Sequence, residues 1–262
     1  MIASAPFVEA RDMRIPAIGL GTWALRGEAC AKAVAAALQI GYRHVDTATM
    51  YDNESEVGRG LRASGVRRDE CFITTKVWPS DIGAAALPRS AEASLKRLQL
   101  SSVDLLLIHW PSPSIPLAES IGALCAAKRQ GLTRHIGVSN FPIDLLRQAA
   151  ALASEPILAN QCECHPRMGQ TALIAACREV GAAFVSHRPL SKGALADDRL
   201  LSRIGLAHKK SAAQVALRWH VQRGLVAIPK AARREHLEEN IAIFDFELSE
   251  AEMAEISALD RS

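Results

Sequence analysis

The chain has no CxxC pair among its six cysteines, no apolar run near the roughly 18 residues that a membrane helix needs, and no block of like charge. Each absence removes a class of protein. Cys30, Cys71, Cys125, Cys162, Cys164 and Cys177 fall singly in apolar or helical contexts, the habit of reduced structural thiols, so a reducing, cytoplasmic compartment is expected. The segment 1–7 lacks the basic region and apolar core of a secretory signal, which makes the Asn53-Glu54-Ser55 sequon uninformative. Net charge is only +3 with Lys and Arg scattered, which argues against nucleic acid and leaves room for a local phosphate pocket. No GxGxxG lies between a strand and a helix: Gly19-x-Gly21 runs into Trp23, and Gly58-x-Gly60 sits in a helical pattern. A serine-hydrolase GxSxG is missing too. Cys162 and Cys164 share a strand face beside His165, but a closed metal site needs about four ligands and there is no second pair, so no metal is expected.

What is present is alternation. Short β-branched runs at 17–23, 44–48, 72–77, 103–109, 135–140, 159–165, 183–189 and 225–230 predict eight strands. Between and after them, helical patterns run near 28–40, 54–64, 83–98, 118–130, 142–151, 169–180, 211–223, 233–243 and 249–258. Gly41, Gly65, Gly131, Gly181 and Gly224 stand where a helix should stop before a strand. Strand–helix alternation implies a parallel sheet under helices. With eight units in 262 residues, 49% of them hydrophobic, a single-domain (β/α)8 TIM barrel is expected over 1–262. A doubly wound open sheet competes, though nothing marks two halves. The segment 7–16 suggests a hairpin closing the barrel floor.

In such a barrel the chemistry sits at the C-terminal ends of the strands. Asp46 ends the second, with Tyr51 five residues on; Lys76 lies near the end of the third, and His109 ends the fourth. Neighbouring strands are about 4.8 Å apart, so these groups converge. An ammonium beside a phenol favours phenolate and lowers its pKa, while a carboxylate holds the lysine charged and aimed. Tyr51 could then protonate the oxygen of a carbonyl that takes up hydride, with His109 orienting that oxygen. Singly, each residue reads as well as an ion pair or a packing group; their joint placement carries the argument.

At these residues the chain resembles the aldo-keto reductase family. The matching segments are Gly19-Leu-Gly-Thr-Trp23, Gly41-Tyr-Arg-His-Val-Asp-Thr-Ala48 with Tyr51-Asp-Asn-Glu54, and Ile73-Thr-Thr-Lys-Val-Trp78. They continue through Val103-Asp-Leu-Leu-Leu-Ile-His-Trp-Pro111, Ile136-Gly-Val-Ser-Asn-Phe141, Asn160-Gln161, Pro189-Leu190 and Ile228-Pro-Lys230, spanning nearly the whole chain. Its flavour is similar to bacterial members of the 2,5-diketo-D-gluconate reductase type. The resemblance implies a catalytic tetrad of Asp46, Tyr51, Lys76 and His109, with Tyr51 as acid. It also implies that Ser139, Asn140 and Gln161 hold a nicotinamide carboxamide, and that Thr22, Asp46, Pro189, Leu190, Gly193 and Asn240 contact the same cofactor.

Two segments depart from the family pattern. A stacking aromatic in Tyr-Ser-Pro-Leu is replaced in Ser186-His-Arg-Pro-Leu190, so His187 stands in its place, with weaker and pH-dependent stacking expected. Arg188 and Lys192 could reach the pyrophosphate. At the adenosine end, Ala231 replaces a serine and His236 an arginine, while Lys230 and Arg233 keep cations suited to a 2′-phosphate. NADPH is therefore expected over NADH, with a softened preference. Trp23, Trp78 and Trp110 would give a small-molecule carbonyl pocket aromatic walls, and Trp219, in a helical run, reads as core. Relatives carry a further C-terminal loop beyond the position of Ser262, and its absence suggests an open, unselective mouth.

Three functions are weighed: an NADPH-dependent carbonyl reductase, a non-catalytic NADP(H)-binding sensor or scaffold of the same fold, and a Schiff-base aldolase using Lys76. The complete tetrad speaks against the second, and an ion-paired lysine is a poor amine nucleophile, which speaks against the third. No membrane or nucleic-acid partner is expected, and without a heptad or an exposed apolar stripe the chain reads as a monomer.

Overall fold

A computed structural model describes residues 6–261; the first five residues, and with them most of the segment read for a secretory signal, lie outside the described residues, as does Ser262. The described chain opens with an antiparallel hairpin, β1 (Phe7–Ala10) and β2 (Met13–Pro16), registered Phe7 to Pro16 and Ala10 to Met13. Met13 and Ile15 are fully buried and pack with Phe72, Leu105, Leu158, Val185 and Val226, so the hairpin plugs the barrel floor with apolar side chains.

Eight parallel strands follow: β3 (Leu20–Gly21), β4 (His44–Asp46), β5 (Phe72–Val77), β6 (Val103–Ile108), β7 (Thr133–Ser139), β8 (Ile157–Glu163), β9 (Ala183–His187) and β10 (Val226–Ile228). They are hydrogen-bonded in chain order, and the edges meet. Gly19 N–H donates to Ala227 O at 2.9 Å, Ala227 N–H to Ala17 O at 2.9 Å and Gly21 N–H to Pro229 O at 3.0 Å, which closes a (β/α)8 barrel. Glycine is needed at this seam. A Cβ on Gly21 would lie 2.7 Å from Ile228 O, and one on Gly19 would lie 2.5 Å from the His44 ring.

Around the barrel run α1 (Gly27–Ile40), α2 (Glu54–Ala63), α3 (Ala86–Leu98), α4 (Leu117–Arg129), α5 (Ile143–Leu152), α6 (Thr171–Val180), α7 (Arg199–His208), α8 (Ala212–Gln222), α9 (Arg234–Ile241) and α10 (Glu250–Ser257). The five expected stop glycines, 41, 65, 131, 181 and 224, all have positive φ. Helix α7 has no counterpart among the helices read from sequence. The first predicted strand, 17–23, is ladder-paired only at Leu20–Gly21, with a single bridge at Ile18, because the chain turns away after Thr22 and Ala24 sits at φ 62°. Trp219 is fully buried, as expected, with its indole N–H on Ser257 Oγ at 3.0 Å.

The main apolar core lies between strands and helices, and the barrel interior is graded. Its floor is filled by Met13, Ile15, Phe72, Leu105, Leu158, Val185 and Val226; Asp46 and Lys76 are buried nearer the C-terminal strand ends, each with His44 or Thr74 two residues before it on the same strand. Strand periodicity of two sends Thr74 and Lys76 inward while Ile73, Thr75 and Val77 face the helices.

Candidate active site

Asp46 and Lys76 come from the adjacent strands β4 and β5, His109 directly follows the next strand, β6, and Tyr51 comes from the single 3₁₀ turn Thr49–Tyr51 that follows β4. The Lys76 ammonium donates to Asp46 Oδ1 at 2.5 Å, to Thr47 O at 2.9 Å and to the Tyr51 hydroxyl at 3.4 Å. The second Asp46 oxygen accepts from Gln161 Nε2 at 2.7 Å. All four tetrad residues are buried, Lys76 completely. Such a pair survives out of water only because both members are almost fully hydrogen-bonded.

Burial works against the Lys76 charge, but Asp46 and the Tyr51 hydroxyl outweigh it and hold the ammonium above the usual lysine range. Tyr51 corrects the expectation of a lowered phenol. Burial pushes its pKa up, Lys76 pulls the other way without cancelling it, and the net direction is upward. The hydroxyl therefore keeps its proton at neutral pH. His109 is pushed down to about 3 by burial, with Lys76 and His187 adding to the effect, so its ring is neutral. That ring stands edge-on to Tyr51 (centroids 5.6 Å, 78°) and to Trp78 (5.2 Å, 90°).

The tetrad opens on a cavity of about 1090 Å³ whose wall includes Asp46, Tyr51 and His109. Of the residues expected at a cofactor, Asn140, Gln161, His187, Pro189, Leu190, Gly193, Lys230, His236 and Asn240 line this cavity. Thr22, Ser139 and Arg233 do not. Thr22 is buried with its hydroxyl on Asp46 O at 2.9 Å, and Ser139 Oγ donates to Gln161 O at 2.7 Å, so both act on the backbone behind the wall. Arg233 lies at the start of α9, exposed, against His236 Nε2.

Trp23 and Trp110 are on the cavity wall and 43% and 46% exposed; Trp78 is not on it, and its ring backs His109. Asn140 Nδ2 donates to His109 O and to Ser139 Oγ, both at 3.0 Å, which turns its Oδ1 toward His187 Nε2 at 3.1 Å. His187 is pushed down to about 3 by burial, then by Lys76 and Arg188, so the pH-dependent ring expected at that position is instead neutral near physiological pH. Arg188 pairs with Glu163 at 2.8 Å, and both Arg188 and Lys192 lie 5.7 Å from the Trp23 ring centroid.

Sequence reasoning passed over Glu163, Met50 and the start of α8, where Ser211, Ala212 and Ala213 line the cavity. The Ser211–Gln214 capping box that begins this helix was a legible signal. Glu163 and Met50 carried none.

The family model of the aldo/keto reductases matches residues 17–261. Methylglyoxal reductase DkgB of Escherichia coli O157:H7 is 40% identical over 251 residues, which is 95% of this chain and 94% of that protein. A crystal structure provisionally assigned as a 2,5-diketo-D-gluconic acid reductase B superposes with a TM-score of 0.96 at 42% identity, covering 98% of this chain and 92% of that one. The Bombyx mori aldo-keto reductase in complex with NADP superposes with a TM-score of 0.92 at 32% identity, covering 98% and 94%. A barrel whose buried Asp–Lys pair reaches a tyrosine at its mouth, matched along almost its full length by these proteins, places the chain in the aldo/keto reductase family.

Proposed function

We propose that this protein reduces small aldehydes and ketones to alcohols with NADPH, Tyr51 giving the proton. Family membership makes the chain an NAD(P)H-dependent oxidoreductase acting on small carbonyl compounds. The observation that carries the finer reading is the Tyr51 hydroxyl, protonated by burial, 3.4 Å from an ammonium and beside a neutral His109 on one cavity wall.

The residues present fit a nicotinamide dinucleotide. The cavity is large enough, about 1090 Å³, and carries tetrad residues together with Lys230 and His236 on its wall. Asn140 and Gln161 would meet the carboxamide, Gln161 through its carbonyl and its second amide N–H, the first being given to Asp46. The His187 ring would stack on the nicotinamide, held at its edge by Asn140. Lys230, Arg233 and His236 would take the 2′-phosphate, which favours NADPH over NADH. The bound dinucleotide supplies the hydride.

The chain's own groups do the rest. His109, neutral, donates one hydrogen bond to the substrate oxygen and orients it. As negative charge grows on that oxygen, Tyr51 passes its proton across, and the Lys76 ammonium stabilises the phenolate left behind. Asp46 keeps Lys76 charged throughout. Trp23 and Trp110 shield the carbonyl from water.

The test follows absorbance of NADPH with a panel of aldehydes for the wild type and Tyr51→Phe. The variant should lose about 10²–10⁴-fold in turnover while still binding cofactor. Equal turnover in both proteins removes Tyr51 from the acid's role. Borohydride trapping of substrate on Lys76 would replace reduction by Schiff-base chemistry.

A further inference from the structure

Given that Tyr51 is the acid, we propose that Arg26 is the positioning residue that sets it, tying the Tyr51 turn to the loop that carries Trp23. Tyr51 sits on one turn of 3₁₀ helix, Thr49–Tyr51, and the next residue, Asp52, is left-handed at φ 51°. So short a turn has little stability of its own and takes its geometry from tethers. Its start is well held: Tyr51 N–H donates to Ala48 O at 3.0 Å and Thr49 Oγ1 to Lys76 O at 3.1 Å. Its end is held by the Arg26 guanidinium, which donates to the Tyr51 backbone carbonyl and, at 3.3 Å, to Leu25 O.

The lacing is reciprocal. Asn53, just past the turn, sends its Nδ2 back to Thr22 O at 2.8 Å and Leu25 O at 3.0 Å, and fixes its own Oδ1 on Thr47 Oγ1 at 2.8 Å. The loop 22–26 and the turn 49–53 are thus stitched from both sides, and Trp23, a wall of the cavity, lies inside the stitched segment. Among the described residues Arg26 makes no ion pair, and its side chain caps nothing at the start of α1. Its contacts go to backbone carbonyls, and one of those carbonyls belongs to the acid. The acid's hydroxyl and the aromatic wall that presents the carbonyl therefore keep their spacing through Arg26. A misplacement of about 1 Å at a reacting group can cost up to ~10²-fold in rate.

Because Arg26 is exposed, its variants should fold. The experiment measures kcat and KM for one aldehyde, and the Kd of NADPH by fluorescence, for the wild type, Arg26→Ala, Arg26→Lys, Tyr51→Phe and the surface control Arg59→Ala. Expected are a kcat lowered about tenfold or more in Arg26→Ala, recovery of much of it in Arg26→Lys, NADPH Kd within about twofold, and Arg59→Ala like the wild type. Turnover abolished in Tyr51→Phe but kept within about twofold in Arg26→Ala overturns the role of Arg26 alone. Equal losses in the Ala and Lys variants, or a loss that appears in NADPH Kd instead of kcat, overturn it as well. A wild type without turnover on any carbonyl takes away the acid role of Tyr51 and this inference with it.

Discussion

Replacing Lys76 by methionine separates what the buried ion pair does for the fold from what it does for the reaction. In the wild type Asp46 faces an ammonium at 2.5 Å and one amide donor from Gln161 at 2.7 Å, and only 1% of it is exposed, at the cavity wall. Lys76→Met leaves that carboxylate with the amide alone, and stranding one member of a buried pair costs about 3–5 kcal/mol. Against a total stability of about 5–15 kcal/mol this is serious, and at ~2–4 °C per kcal/mol for a chain of this size Tm should fall by roughly 10 °C. Catalysis loses the charged neighbour of the Tyr51 hydroxyl. A hydrogen bond to a charged group is worth about 1.5–3 kcal/mol, so kcat should drop by roughly 10–150-fold. Adding Asp46→Asn to Lys76→Met removes the stranded charge, and the double variant should regain much of the lost Tm without regaining activity. Circular dichroism melts and NADPH consumption on the same preparations give both readouts. A double variant no more stable than Lys76→Met, or a Lys76→Met enzyme within about threefold of wild type, would refute this account of the pair.

Acid should unfold the protein in a narrow range. Burial pushes His44, His109 and His187 down to about 3 and His220 to about 4, all below the ordinary 6.5, so the folded state favours the neutral ring. That contribution is whole above pH 6.5 and is lost as pH falls toward the folded values. Four such groups give a slope of roughly 5 kcal/mol per pH unit, enough to exhaust the stability between about pH 5 and 4; an intact far-ultraviolet spectrum at pH 3.5 would contradict it. The tryptophans should divide by kinetic parameter. Trp110→Ala, on the cavity wall, should raise KM for aromatic aldehydes several-fold by about 1 kcal/mol of lost ring contact, with kcat little changed. Trp78→Ala, behind His109, should lower kcat for every aldehyde alike, and a reversal of these two patterns would reassign both rings.

Eight strands and most helices were legible because their periodicities differ and because five glycines mark helix ends. Helix α7 was hidden by its weak stripe: only Leu201, Ile204 and Gly205 are buried in ten residues, and the surest signal was its cap, Asp198, which accepts from Leu200 N–H and Leu201 N–H. The seam strand read longer than it is, since periodicity records which residues are apolar and not where the backbone leaves the ladder. The convergence of Asp46, Lys76 and His109 followed from strand ends, and that of Tyr51 from its short spacing to Asp46. The direction of the Tyr51 shift did not, because the order of residues shows a nearby lysine but carries no measure of how far the phenol sits from water. In the same way, the Trp78 side chain could be assigned to a strand end, yet whether it lines or backs the site depends on the ring of His109.

The seam has a consequence for synthesis. Ala17 and Gly19 find their partner in Ala227, about 200 residues later, so on a ribosome adding roughly 5–20 residues each second the nascent first strand waits some tens of seconds for its mate. Until then the half-made cylinder has an open side, and a product terminated before β10 has nothing with which to shut it.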